Sequence, residues 1–236
     1  MSSTTADSDP SQSSSSEWTT VNPDNREEIS VPALYHLCIS SIVPRPVAVI
    51  TTKDPETGIV NCAPYSYSSL SGHDPPIVTH GLTVGRATGK KDTLRNIEAS
   101  GEWVMNVLTT SYLDKANGCA ATLPYNQDET QLVGLEVLND CTTVNVPRLK
   151  DAPVAMEVKL LDKKEIKNVE GRHTNTVVIG QVTKFHIHKN VLKEGQPADE
   201  PRVDLIKLQA VGRAGDITYW PVGTTPETIR PIERPS

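Results

Sequence analysis

Aromatic residues are scarce in this 236-residue chain, which holds one Phe, three Trp and six Tyr. A core with so few rings must rest on Val, Ile, Leu and Ala, and the recurrent Val/Ile runs favour strands. No apolar run approaches the about 18 residues of a spanning helix, which excludes a helical membrane anchor. Cations are also in deficit, with 23 Lys and Arg against 29 Asp and Glu and a net charge of −6. No basic stripe is interleaved with aromatics, so a nucleic-acid surface is not expected. Cys38, Cys62, Cys119 and Cys141 form no CxxC pair, which predicts free thiols rather than a cysteine metal centre. GxSxG, HExxH and Walker patterns are all missing.

The N-terminus, MSSTTADSDPSQSSSSEW, lacks the basic and apolar regions of a signal peptide. Asp7, Asp9 and the want of any Arg before Arg26 argue against a transit peptide, so a cytoplasmic location is expected. Residues 1–28 are too rich in Ser and Thr to bury a core and should be disordered. One domain over 29–219 is expected next, then an extended Pro- and Thr-rich tail over 220–236.

Within that domain, VPALYHLCISSI (31–42) predicts a short helix with Leu34, Leu37 and Cys38 on its inner face. VPRPVAVITT and IVNCAPY read as strands joined at DPETG, hence a hairpin. YSSLSGHDPP reads as a loop and IVTHGLTV as a third strand. A helix then runs from Asp92, taken as its N-cap, to a stop at Gly101, with Leu94 and Ile97 facing inward. WVMNVLTT is a strand and SYLDKANGCAATLP a second helix. The long alternating segments VAMEVKLLDKKEI and NTVVIGQVTKFHIHK complete a mainly β chain with a few short helices, a barrel or sandwich. A Rossmann fold is excluded, because strand–helix alternation and a glycine fingerprint are both wanting.

Few side chains look equipped for chemistry. His186 and His188 share one strand face, but no third zinc ligand stands at sensible spacing, so no metal site is expected. His80, inside an apolar strand, fits a hydrogen-bonded core histidine. A chain this poorly armed can leave the reaction to a cofactor. The helix mouth at Lys91, Asp92 and Thr93 offers N–H groups, a dipole and a cation to an anion, although that stretch taken alone favours an ordinary capped surface helix. Lys90 is read as a solvated charge.

Taken in order, four stretches carry a pattern. They are Pro44–Arg45–Pro46 with Thr51–Thr52, then Asn61–Cys62–Ala63–Pro64–Tyr65–Ser66, Asp74–Pro75–Pro76, and Lys91–Asp92–Thr93–Leu94–Arg95–Asn96–Ile97. DETQLVGLE, DAPVAMEV and NTVVIGQV follow at matching places. The chain resembles the flavin reductase-like family from about Val31 to Tyr219. That resemblance implies an FMN-binding split β-barrel of Greek-key type, related to pyridoxamine-phosphate oxidases. It implies that Thr51, Thr52, Asn61, Ala63, Ser66, Tyr67 and Ser68 hold the ring and ribityl chain of FMN. Arg45, Lys91, Asp92, Thr93 and Asn96 would serve the phosphate, Asp92 as a cap that orients its neighbours.

The sequence departs from the family at Ser68–Ser69, where an aromatic and an Asn are usual, and at Thr79–His80, where the strand is commonly apolar. Both fall where a second substrate would lie, which makes His80 a candidate substrate contact. The function implied is transfer of a hydride from NAD(P)H to FMN, with electrons passed to a further acceptor, in a homodimer with flavin near the subunit interface. No catalytic side chain is implied. The alternatives are a flavin carrier or redox sensor without turnover, a reductase of a small organic substrate using His80 and Tyr67, and a barrel that has lost its cofactor.

Overall fold

The computed structural model describes residues 17–85, 89–121, 123–125, 127–215 and 218–222. The tails expected over 1–28 and 220–236 therefore fall largely outside the described residues. Pro32 in the first turn and the Ser30 side chain, which accepts from Ala33 N, start α1 (Val31–Ser41). There follow β1 (Arg45–Pro46), β2 (Ala48–Lys53), β3 (Val60–Tyr65), β4 (Ser68–His73) and β5 (Pro76–Thr83). Then come α2 (Asp92–Ser100), β6 (Glu102–Val107), α3 (Leu113–Gly118), α4 (Glu129–Val133), β7 (Val137–Leu138) and β8 (Arg148–Leu149). The chain continues through β9 (Val154–Lys167), β10 (His173–Ile187), α5 (Leu205–Leu208), β11 (Val211–Arg213) and β12 (Tyr219–Pro221).

Seven strands form one antiparallel sheet in the order β3-β2-β6-β9-β10-β5-β4. Its two edges, β3 and β4, are consecutive in sequence and joined only by Ser66 and Tyr67. In a flat sheet those edges would stand about 29 Å apart, six steps of about 4.8 Å. Three Cα steps span at most about 11 Å. The sheet must therefore curl until its edges meet, and β3 comes into contact with β5, the neighbour of β4, while Gly81 N donating to Tyr67 O at 2.7 Å extends the β4–β5 pairing into the link. β6, β9 and β10 lie side by side with β5 next to β10, a Greek-key order that α2 makes possible by carrying the chain from β5 to β6. A smaller sheet, β1-β11-β12, pairs Arg45 with Arg213.

Alternation fills the barrel. Ala48 and Ile50, Trp103, Val158, Val178 and Val182, and Val78 and Leu82 turn inward, with Leu94 and Ile97 of α2 packed against them. Trp103 needs a glycine opposite it, because a Cβ at Gly180 would lie 2.3 Å from its ring. On the other side of β2 and β3, α3 contributes Ala116 to a second core with Val47, Val49, Cys62 and Leu149.

Most expected elements stand where the sequence put them, including the hairpin of β2 and β3, and α2 with Gly101 at φ 71° as its left-handed stop. Four expectations need correction. The expected loop YSSLSGHDPP contains β4, an edge strand whose Ser and Gly content hid it. The helix α1 forms, but Ile39 is its buried residue, while Leu37 and Cys38 are exposed. The second helix is shorter than expected, a 3-10 turn at Thr110–Tyr112 followed by α3. The C-terminal tail begins as strand β12, paired with β11.

Candidate functional site

A cavity of about 590 Å³ opens beside the barrel junction, bounded by α1, β3, the Ser66–Tyr67 link, the mouth of α2, and Cys119, Ala120, Ala121, Leu123 and Tyr125. Its size falls within the about 300–1,000 Å³ typical of small-molecule and cofactor sites. Of the residues expected to touch a ligand, Arg45, Asn61, Ala63, Ser66, Tyr67, Lys91 and Asp92 line it. Thr51, Thr52, Ser68, Thr93, Asn96 and His80 are buried behind it or elsewhere in the barrel.

The buried group is an organised support. Thr52 Oγ1 accepts from Asn61 Nδ2 at 3.3 Å and from Asn96 Nδ2 at 3.0 Å. Thr93 Oγ1 accepts from Asn61 Nδ2 at 2.8 Å and from the Tyr65 hydroxyl at 2.9 Å. Asn96 Oδ1 in turn accepts from the Tyr125 hydroxyl at 2.7 Å. These bonds tie α2 to β2, to β3 and to the loop bearing Tyr125. Thr93 and Asn96, expected at the phosphate, turn their side-chain oxygen and amide ends into this network. Thr51 faces another way, donating to Pro147 O at 2.6 Å.

His80 is also corrected. It has no exposure and does not line the cavity. Its Nε2 accepts from Trp103 Nε1 at 3.3 Å, which fixes the proton on Nδ1, within 2.9 Å of Ser68 Oγ. Ser68 Oγ donates to Tyr65 O at 3.2 Å. Burial holds the imidazole pKa down at about 4, so the ring stays neutral. It is a satisfied core histidine, out of reach of a substrate.

At the mouth of α2 the N-cap is Lys91 and Asp92 is the first helical residue, which corrects the expected cap. Lys91 provides no side-chain cap, and helix N–H groups left without one suit an outside acceptor. Lys90, Lys91 and Arg95 gather around that mouth. Lys90, read as a solvated charge, keeps its side chain 37% exposed while its Nζ pairs with Glu98 at 2.8 Å. Arg95 lies 3.8 Å from Asp92 and over the Tyr125 ring, 5.4 Å from its centroid. Burial raises the Asp92 pKa, against the pull of Arg95 and Lys91.

Arg45 lines the far wall, but its Nη1 donates to Ile39 O at 2.5 Å and Ile42 O at 2.7 Å. It neutralises the C-terminal carbonyls of α1, so its charge is largely taken, while its buried Nε has no partner. Arg213 stacks on Tyr219 at 4.4 Å on the same wall. Tyr35, Tyr125, Glu129, Arg95 and Arg213 are cavity residues that the sequence reading missed. Arg95 occupies a variable place inside the KDTLRNI stretch, and Glu129 lies in DETQLVGLE, where a motif was noticed without a role.

His186 and His188 do not make a metal pair. His186 Nε2 lies 2.7 Å from Glu157 Oε1, and His188 Nδ1 meets Asn190. The ligand atoms of Cys141, Glu157 and His186 do lie within 4.8 Å of one another. Yet Glu157 already accepts from the backbone N–H groups of Thr142, Thr143 and Val144 and from the Thr143 hydroxyl. Burial pushes its pKa up, but the Thr143 bonds, His186 and Thr142 outweigh that and bring it to about 2. The carboxylate is an anchor for the 142–144 loop.

A curled Greek-key sheet with a cation-flanked helix mouth on this cavity makes a split barrel. The chain belongs to the flavin reductase-like domain family, whose profile matches residues 40–204. Nitrilotriacetate monooxygenase component B from Bacillus cereus is 30% identical, with a TM-score of 0.80 over 89% of this chain and 98% of that one. The 2-nitrobenzoate 2-nitroreductase NbaA of Pseudomonas fluorescens is 26% identical, with a TM-score of 0.76 over 92% and 99%. A flavin reductase-like split-barrel protein from Shewanella frigidimarina shares the fold at 17% identity, with a TM-score of 0.70 over 92% and 100%.

Proposed function

We propose that this protein is an FMN-dependent oxidoreductase that draws a hydride from NAD(P)H and delivers the electrons to a separate acceptor. The observation that carries the reading is the mouth of α2, where helix N–H groups meet Lys90, Lys91 and Arg95 on the cavity of a flavin reductase-like barrel. The donor set suits a phosphate, since cations meet its charge and helix amides its oxygens. When bound, FMN supplies the hydride-accepting and electron-releasing chemistry.

The chain's own part is placement and shielding. Lys91 and Arg95 hold the phosphate, and the Thr52–Asn61–Thr93–Asn96 network fixes the helix that presents them. Ala63, Ser66 and Tyr67 form the wall along which the ring would lie. Arg45 holds α1 against that wall rather than binding the phosphate. No side chain is needed as a general base.

A homodimer belongs to the same proposal. Tyr35 and Tyr67 expose apolar surface at the cavity, and Leu37, Ile42, Val43 and Leu70, close to them in sequence, are exposed as well. A second copy covering them would close the site over the ring. The four cysteines stand free, as suits the reducing cytoplasm where we place the protein.

The test is an anaerobic titration of the FMN-loaded protein with NADH and with NADPH. The flavin absorbance band should bleach with at least one donor. A protein that binds no added FMN would overturn the reading, and binding without bleaching would make it a carrier. Similarity to a nitroreductase favours a second version, in which the acceptor is a small nitroaromatic acid. Recovery of the band on adding such an acid, but not free flavin, would select it.

A further inference from the structure

Glu129, the first residue of α4, lines the cavity while only 6% exposed. Its Oε2 accepts from the Cys62 backbone N–H at 2.9 Å. Among the described residues no Lys, Arg or His pairs with it, and its charged neighbours are Asp92 and Asp128. Burial raises its pKa, those two carboxylates add to the rise, and the Cys62 N–H opposes it. A carboxylate kept out of water without a cation is costly to hold ionised. Groups held at such cost in a cleft are functional candidates.

The cations of the α2 mouth do not relieve it, since Lys90 turns to Glu98 and Arg95 to Asp92. An anionic ligand group set against Glu129 itself would meet its charge, so the phosphate falls to the cations and N–H groups of the α2 mouth instead. What suits this wall is a neutral donor of hydrogen bonds, and an ionised carboxylate with Asn61 and Ser66 on the same cavity favours hydroxyl groups.

Resting on the reading of the cavity as an FMN site, we infer that Glu129 is the acceptor for hydroxyls of the flavin's ribityl chain. The phosphate then belongs to the α2 mouth and the polyol to Glu129. The protein would thereby select flavins that carry the polyol over the bare ring system.

The experiment compares riboflavin with lumiflavin, which lacks the polyol, by fluorescence titration of the full chain. The wild-type protein should prefer riboflavin. Glu129→Gln, which keeps an acceptor for the Cys62 N–H, should weaken riboflavin about tenfold and leave lumiflavin unchanged. Glu129→Asp, which keeps the charge but shortens its reach, should also narrow the preference, and serves if the Gln variant fails to fold. An unchanged riboflavin-to-lumiflavin ratio in the folded variants, or an equal loss for both flavins, overturns the role of Glu129 alone. A wild-type protein that binds neither FMN nor riboflavin overturns the cavity reading and this inference with it.

Discussion

His80 shows how a residue placed near a candidate site by sequence can serve the core instead. Both ring nitrogens are engaged, one by Trp103 and one by Ser68, and the neutral form is the one that fits. Its folded pKa of about 4 lies below the ordinary 6.5. Between those values the unfolded chain binds the extra proton, so stability rises with pH. The contribution is whole above pH 6.5, drains away as pH falls towards about 4, and amounts to about 3 kcal/mol. Urea unfolding followed from pH 7.5 to 4.5 should show that slope, and His80→Gln should abolish it. A wild-type slope surviving in the variant would assign the effect to other groups.

At the scale of elements, α2 is the part on which the site depends. Its inner face, Leu94 and Ile97, was legible from spacing, and so was its glycine stop. What spacing could not reveal is that Thr52, Thr93 and Asn96 brace the helix from behind. A motif pattern marks residues that belong together without distinguishing a ligand contact from the support beneath it. Asn96→Ala removes the donor to Thr52 and the acceptor for Tyr125 at once. It should cost about 2 kcal/mol of stability, with one buried and one half-buried hydrogen bond lost. FMN affinity should also fall, although Asn96 does not line the cavity. Chemical denaturation and an FMN titration check the two effects, and a stable variant with weakened FMN binding would instead make Asn96 a direct contact.

For the whole molecule, the barrel was legible because runs rich in Val, Ile and Leu mark β2, β5, β9 and β10. β4 escaped notice because an edge strand tolerates the Ser and Gly of a loop. The cavity was only half legible, since Tyr35, Tyr125, Glu129 and Arg213 come to it from distant stretches with no local signal. The exposed face of α1 has a counterpart at this scale. Sedimentation should give a particle of about twice 25.7 kDa, and Leu70→Glu should shift it towards the monomer. A wild-type monomer at all concentrations would remove the second copy from the proposal.

The central claim is that the α2 mouth seats the phosphate of FMN. It is tested most directly by dissociation constants for FMN and riboflavin on the wild-type protein and on Lys91→Ala. Lys91 is exposed, so the fold should survive its loss. The account predicts that wild type prefers FMN, and that the variant loses about tenfold for FMN with little change for riboflavin. Equal losses for both flavins, or no preference for FMN in the wild type, would contradict it.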